Sequence, residues 1–151
     1  MRTQIRVAGL LVVDAAILLE SYIGSSLWNL PGGRLEDNET LEIALRREFQ
    51  EELGILIAAG DLLIVNENFF PHAGDTIREY GFYFRVRAKN AALSPKTPVA
   101  SREAQFRHAW VSLEELPSLD FRPVGLIAHL IDPPTQTIYV KTRDAELTGG
   151  S

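Results

Sequence analysis

The sequence predicts an α/β fold, α+β by some schemes, in which helices lie on both faces of a mixed β-sheet. Three observations support this. Apolar runs of strand length recur along the chain. Two stretches between them carry helical rather than alternating patterns. The two kinds of segment are interspersed, which favours layers of helix against sheet.

Residues 5–13 are almost continuously apolar and rich in Val and Leu, the pattern of a strand covered on both faces. Asp14-Ala15 is read as a turn, and 16–20 as the returning strand. Leu30-Pro31-Gly32-Gly33 reads as a break, because proline and paired glycines oppose both helix and strand. Residues 40–53 form the strongest helical segment. Thr40 is placed to cap it, Glu42 suits the positive end of the helix dipole, and Gly54 supplies the stop. Leu45, Phe49 and Leu53 line up as one apolar stripe at about 100° per residue. Residues 62–70 and 77–87 read as strands. In the second, Tyr80, Phe82, Phe84 and Val86 alternate with Gly81, Tyr83, Arg85 and Arg87. Trp110-Val111 leads into a short helix over 112–116, and a second long helix is expected over 123–131. A strand over 137–141 closes the series. The organisation expected is a single domain over 1–147 with a flexible tail at 148–151.

Composition narrows the chemistry. A chain of 151 residues buries about 68–70% of its unfolded surface and needs no covalent staples. There is no cysteine, so disulfides, thiolate metal sites and cysteine nucleophiles are excluded. The longest apolar run, seven residues from Val7, is far too short to cross a membrane. The N-terminus lacks the features of a signal peptide, and a cytoplasmic protein is expected. The net charge of −5 argues against DNA or general nucleic-acid binding. An anionic substrate stays possible if a divalent cation bridges the two negative partners.

Glu48, Glu51 and Glu52 stand at i, i+3 and i+4 on the predicted helix. Their side-chain bases lie about 5–6 Å apart on one patch, where like charges repel. Such a patch is either a solvated acidic face or a site for a hard divalent cation, which prefers oxygen ligands. The Gly-Gly loop just before it permits close backbone approach to a ligand and favours the cation.

From Gly33 the chain reads GRLEDNETLEIALRREFQEELGI. Gly33 is followed after five residues by Glu39, and after seven more by Arg47-Glu48. Phe49, Gln50, Glu51-Glu52, Leu53, Gly54 and Ile55 complete the segment. It resembles the complete Nudix box, a match that chance would give on the order of once in ten million chains. The Trp28-x-Leu30-Pro31-Gly32-Gly33 lead-in and the segment from Trp110 to Leu116 are similar to the wider Nudix family as well.

The resemblance implies an α/β/α sandwich and a Mg²⁺-dependent pyrophosphohydrolase, with Mn²⁺ as a substitute. It makes Glu48, Glu51 and Glu52 metal ligands together with the carbonyl of Gly33. Arg47 and Glu39 match a pair that orients the catalytic helix. The base that activates water is a box glutamate in some relatives. In others it lies on a loop before the tryptophan strand, where Glu103 stands seven residues ahead of Trp110. Arg47, Glu51, Glu52 and Glu103 are therefore the catalytic candidates. Arg6, either a phosphate contact or a sheet-edge charge, and Arg34 are the substrate-binding candidates. Asn66 to Phe70 and Arg78 to Tyr80 are candidates for the nucleotide pocket, with Phe69, Phe70 and Tyr80 read first as packing. His72 and His108, placed in loops, and His129, on the last helix, are read as ordinary histidines. Glu20-Ser21 stands where many relatives carry Lys or Arg, which removes basic phosphate contacts from that stretch.

The leading substrate is a nucleoside triphosphate or an oxidised form of one. The rival is a nucleoside-diphosphate sugar or a dinucleoside polyphosphate, and an RNA 5′ end ranks below both. A non-catalytic nucleotide-sensing domain is the alternative of another class. The expected partner is a small nucleotide, with no DNA and no membrane, for a monomer or homodimer.

Overall fold

The computed structural model describes residues 1–145; the tail expected at 148–151 lies outside them. Strand β1 (Arg2–Leu10) opens the chain, followed by β2 (Val12–Val13) and β3 (Ala16–Tyr22). Asp14 and Ala15 take φ of 49° and 61°, the left-handed pair of a tight hairpin turn. Then come β4 (Gly32–Arg34), α1 (Leu41–Leu53), the long hairpin of β5 (Ile57–His72) and β6 (Asp75–Ala88), β7 (Phe106–Ser112), α2 (Ile127–Ile131) and β8 (Ile138–Arg143).

The larger sheet has the order β4-β1-β6-β5-β8 and is mixed. β1 runs parallel to β6 and β5 parallel to β8, while the remaining pairs are antiparallel. The smaller sheet, β2-β3-β7, is antiparallel throughout. Val7, Leu45, Phe49, Leu53, Phe84 and Val86 pack on the α1 side. Ala8, Leu10, Ile64, Tyr83, Leu126 and Leu130 pack on the α2 side. Successive residues of β1 and β6 thus feed opposite cores, as the two-residue period of a strand requires.

The capping of α1 follows the sequence. Thr40 Oγ1 accepts from the Ile43 N–H at 3.2 Å. Gly54 turns left-handed at φ 67° and its N–H donates to Gln50 O at 3.0 Å.

Four expectations need correction. The strand from residue 5 is covered on both faces only near Val7 to Leu11, and Arg2, Thr3 and Ile5 are exposed. Its uncovered half forms one wall of a cleft. Leu30 to Gly33 is not simply a break, because Gly32–Arg34 pairs with β1. A Cβ on Gly32 would lie 2.1 Å from the Val7 carbonyl oxygen, so only glycine permits this approach. The helix over 112–116 is a turn, with Ser112 Oγ accepting from the Glu115 N–H, followed by a 3₁₀ turn at Leu116–Ser118. The second long helix is a 3₁₀ turn at Val124–Leu126 and the five residues of α2. Gly125 weakens its start, and Pro133-Pro134 disfavours helix from Asp132 onward. No helix among the described residues is long and apolar enough to cross a membrane.

Candidate active site

The patch predicted on α1 exists, but its three carboxylates differ sharply in environment. The Glu51 side chain is 52% exposed, Glu48 13%, and Glu52 only 3%. A uniformly solvated acidic face is thereby excluded. Gly33, on β4, lies directly against Glu48: a Cβ there would sit 2.4 Å from the Glu48 carboxylate. The glycine is what lets the strand and the acid approach. Arg47 braces the cluster. It donates to Glu39 through Nε at 2.6 Å and Nη2 at 2.9 Å, to Glu48 at 2.8 Å, to Glu51 at 3.3 Å and to the Arg34 carbonyl at 3.2 Å. The bond from Arg47 holds the Glu39 carboxyl below its ordinary range.

Glu52 points inward. Its Oε2 lies 3.8 Å from His108 Nε2, which lies 3.4 Å from Glu20 Oε1. Burial, reinforced by Glu20 and Glu48, pushes the Glu52 carboxyl up to about 11. Burial also raises Glu48 above the ordinary carboxylate range, against the pull of Arg47. Glu52 Oε2 is buried and has no hydrogen-bond partner. A divalent cation fits this donor set: hard oxygen atoms, an excess of negative charge, and an orphaned acceptor that a cation would satisfy.

These groups form part of a cleft of about 850 Å³, within the usual range for small-molecule sites. Arg6, Arg34 and Glu103 line the same cleft. Arg6 is not an edge charge: β1 lies between β4 and β6, and its Nη2 donates to the Leu30 carbonyl at 2.7 Å. Burial opposes its charge, but Glu79 and Glu20 more than offset that and raise its pKa. Glu103 sits in the loop before β7, where Gln105 donates to it at 2.7 Å. That loop is tied to α1, since the Arg102 N–H donates to the Glu52 carbonyl at 2.7 Å. Among the pocket candidates, Asn68, Phe70 and Glu79 line the cleft. Asn66 instead bonds Val140 and Thr142, Arg78 bonds Thr3, Tyr80 bonds Glu67, and Phe69 lies under Arg143.

The NUDIX domain family matches residues 3–130, which takes in the cleft walls of β1 and β4, the whole of α1 and the Glu103 loop. The chain belongs to the Nudix family. It is 41% identical over 78 residues to an 8-oxo-dGTP diphosphatase of Proteus vulgaris, an alignment spanning 52% of this chain and 66% of that protein. It is 33% identical over 136 residues to putative 8-oxo-dGTP diphosphatase 2 of Mycobacterium tuberculosis, spanning 86% and 89% respectively. The fold is similar to that of a MutT protein from Bacillus halodurans, with a TM-score of 0.68 at 18% identity, over 94% of this chain and 90% of that one. Membership and relatives together make this Nudix chain a hydrolase of the pyrophosphatase kind.

Within this Nudix fold, two site residues escaped the sequence reading. His108 is not in a loop but within β7, paired across strands with Glu20. His72 ends β5 and lines the cleft, while His129 lies on α2 as expected. The one available signal for the pair is Glu20, a carboxylate closing an apolar strand.

Proposed function

We propose that the protein is a Mg²⁺-dependent pyrophosphohydrolase, Mn²⁺ substituting, whose substrate is a nucleoside triphosphate or an oxidised nucleotide. The observation that carries this reading is the graded carboxylate cluster under Gly33, whose orphaned acceptor a cation would satisfy and whose open side faces a nucleotide-sized cleft. Relatives named as 8-oxo-dGTP diphosphatases support the choice of substrate class.

In this reading Glu48, Glu51, Glu52 and the Gly33 carbonyl hold the cation. When bound, it neutralises charge on the diphosphate and helps generate the attacking water. Arg47 and Glu39 fix the pitch of α1, so that the glutamates keep their places beside Gly33. Arg34, exposed at the cleft mouth, meets phosphate oxygens, and Arg6 supplies positive charge to the cleft wall. A carboxylate takes the proton of the water as it attacks phosphorus. Glu103 is the candidate from outside the box, and Glu51 and Glu52 are those within it.

The test is an assay of metal-stripped protein on nucleoside triphosphates, 8-oxo-dGTP, nucleotide sugars and dinucleoside polyphosphates, with and without Mg²⁺. Release of pyrophosphate from a triphosphate, abolished by chelator and restored by Mg²⁺, is expected. Full turnover after exhaustive chelation overturns the metal role. Preference for a nucleotide sugar or a dinucleoside polyphosphate overturns the substrate assignment.

A further inference from the structure

Three elements bring Glu20, Glu52 and His108 together: β3, the last turn of α1, and β7. Glu20 Oε1, Glu52 Oε2 and His108 Nε2 all lie within 4.8 Å of one another. Glu20 and Glu52 are each 2% exposed, and the His108 side chain is 0% exposed. Each of the three atoms is buried with no hydrogen-bond partner. Native interiors rarely leave one such atom unsatisfied, and three aimed at a common point call for something between them. The other ring nitrogen, Nδ1, lies 2.6 Å from Ser101 Oγ. That bond fixes the ring, and with Nδ1–H as donor the Nε2 lone pair faces the two carboxylates, an orientation in which it can ligate a metal.

We propose that these three residues bind a first-row transition-metal ion such as Zn²⁺, at a site that shares Glu52 with the proposed Mg²⁺ ligands but takes Glu20 and His108 from outside them. The imidazole decides the class of ion. Mg²⁺ favours oxygen donors and retains its waters, whereas imidazole suits zinc, iron and similar ions. Spacing agrees. Ligands at about 2.1 Å in a tetrahedron lie about 3.4 Å apart, against 3.4 Å and 3.8 Å found here to His108. Among the described residues, these two buried carboxylates face a single arginine in ion-pair range. Arg6 stands 3.9 Å from the far oxygen of Glu20 and is the nearest ion-pair partner of that carboxylate among the arginines described. Glu20 and Glu52 both line the cleft, which gives the ion a way in. Glu52 contacts Glu48 as well, so it joins the two sets of ligands. The site does not depend on which substrate is hydrolysed.

The test uses the metal-stripped whole chain, titrated with Zn²⁺ in a large excess of Mg²⁺. Imidazole ¹H–¹⁵N spectra follow the three histidines, and dialysis counts the bound zinc. One tight Zn²⁺ per chain is expected, with the His108 ring signals shifted and those of His72 and His129 in place. His108→Gln and Glu20→Gln should each weaken zinc binding at least about tenfold, with circular dichroism unchanged. Glu48→Gln should lower Mg²⁺-supported turnover at least about 10²-fold yet keep the zinc shift at His108, which separates this site from the proposed Mg²⁺ patch. Should a variant fail to fold, the wild-type ring shift decides alone. A His108 ring that responds to pH but not to saturating zinc means a shared proton holds the cluster, and the proposal fails. Equal zinc affinity in wild type and folded His108→Gln overturns it as well.

Discussion

Arg47 and Glu39 meet through two parallel hydrogen bonds, 2.6 Å and 2.9 Å long, while the same guanidinium reaches Glu48 and the Arg34 carbonyl. One planar group therefore ties the loop after β4 to the middle of α1. The planarity matters more than the charge, since only a fork can serve four acceptors in fixed directions. Arg47→Lys keeps the charge and loses the fork. It is expected to cost about 1 kcal/mol of stability, a fall in Tm of about 2–4 °C for a chain of this size. Turnover should fall about tenfold or more, equivalent to about 1.4 kcal/mol in the barrier. Thermal melts and rates measured on the same preparation check this. A lysine variant matching wild type in both removes the bracing role.

Glu48→Gln and Glu52→Gln preserve shape and remove a carboxylate from the proposed cation site. Each is expected to lower turnover at least about 10²-fold, or about 2.7 kcal/mol in the barrier, without unfolding the protein. In the metal-free state Glu52→Gln should melt no lower than wild type above neutral pH, because it replaces a buried acid that resists ionisation. Steady-state rates at saturating Mg²⁺ and melts with chelator separate the effects. Rates within a factor of about two of wild type would return both residues to a purely structural role.

Part of this site was legible in the sequence and part was not, for physical reasons. The i, i+3, i+4 spacing and helical geometry suffice to put Glu48, Glu51 and Glu52 on one side of α1, and the caps Thr40 and Gly54 follow from local chemistry. Local rules do not say how deep each acid lies. The burial of Glu52 depends on β3 and β7, which are far from it in sequence and bring Glu20 and His108 beneath it. The segments near Leu116 and Val124 satisfy a helical period but form short 3₁₀ turns, because Pro117 and Gly125 work against a longer helix. Gly32 was read as a breaker, yet the absence of a Cβ is what allows β4 to pair with β1. The two turns follow from local proline and glycine, whereas the burial of Glu52 and the pairing of β4 depend on contacts distant in sequence.

The ionisation of Glu52 sets a pH dependence whose sign is definite. Its ordinary value is 4.5, and burial raises it to about 11 in the metal-free fold. The folded state then holds a proton that the unfolded chain releases above pH 4.5. The associated stability is complete below that pH and is lost as pH rises toward 11. Metal-free wild type should therefore melt lower at alkaline than at mildly acidic pH, and Glu52→Gln should flatten the slope. Cation binding requires the carboxylate, so it should release a proton and tighten as pH rises. Calorimetry of Mg²⁺ binding in two buffers of different ionisation enthalpy measures that proton. A flat melting profile together with no proton release rules out a neutral Glu52.

Glu103 differs from the box glutamates in how it is held. It belongs to the loop before β7, and its carboxylate accepts a hydrogen bond from Gln105 rather than from α1. The backbone bond from Arg102 to the Glu52 carbonyl anchors that loop one residue away. Gly54 packs against the Arg102 guanidinium, where a Cβ would sit 2.3 Å from Cζ, so the loop and the end of the helix are fitted together. Glu103 thus lines the cleft from a loop anchored beside it, and reaching the reacting phosphate requires only a local adjustment of residues 103–105 on substrate binding, with α1 in place. A base must reach its proton directly or through one water. Glu103→Gln is therefore expected to lower turnover about 10²-fold, with Mg²⁺ affinity unchanged. A lost metal ligand behaves otherwise, because raising Mg²⁺ partly restores its activity. Rates at several Mg²⁺ concentrations distinguish the two. Wild-type turnover in Glu103→Gln at saturating substrate and metal would assign the base to Glu51 or Glu52 instead.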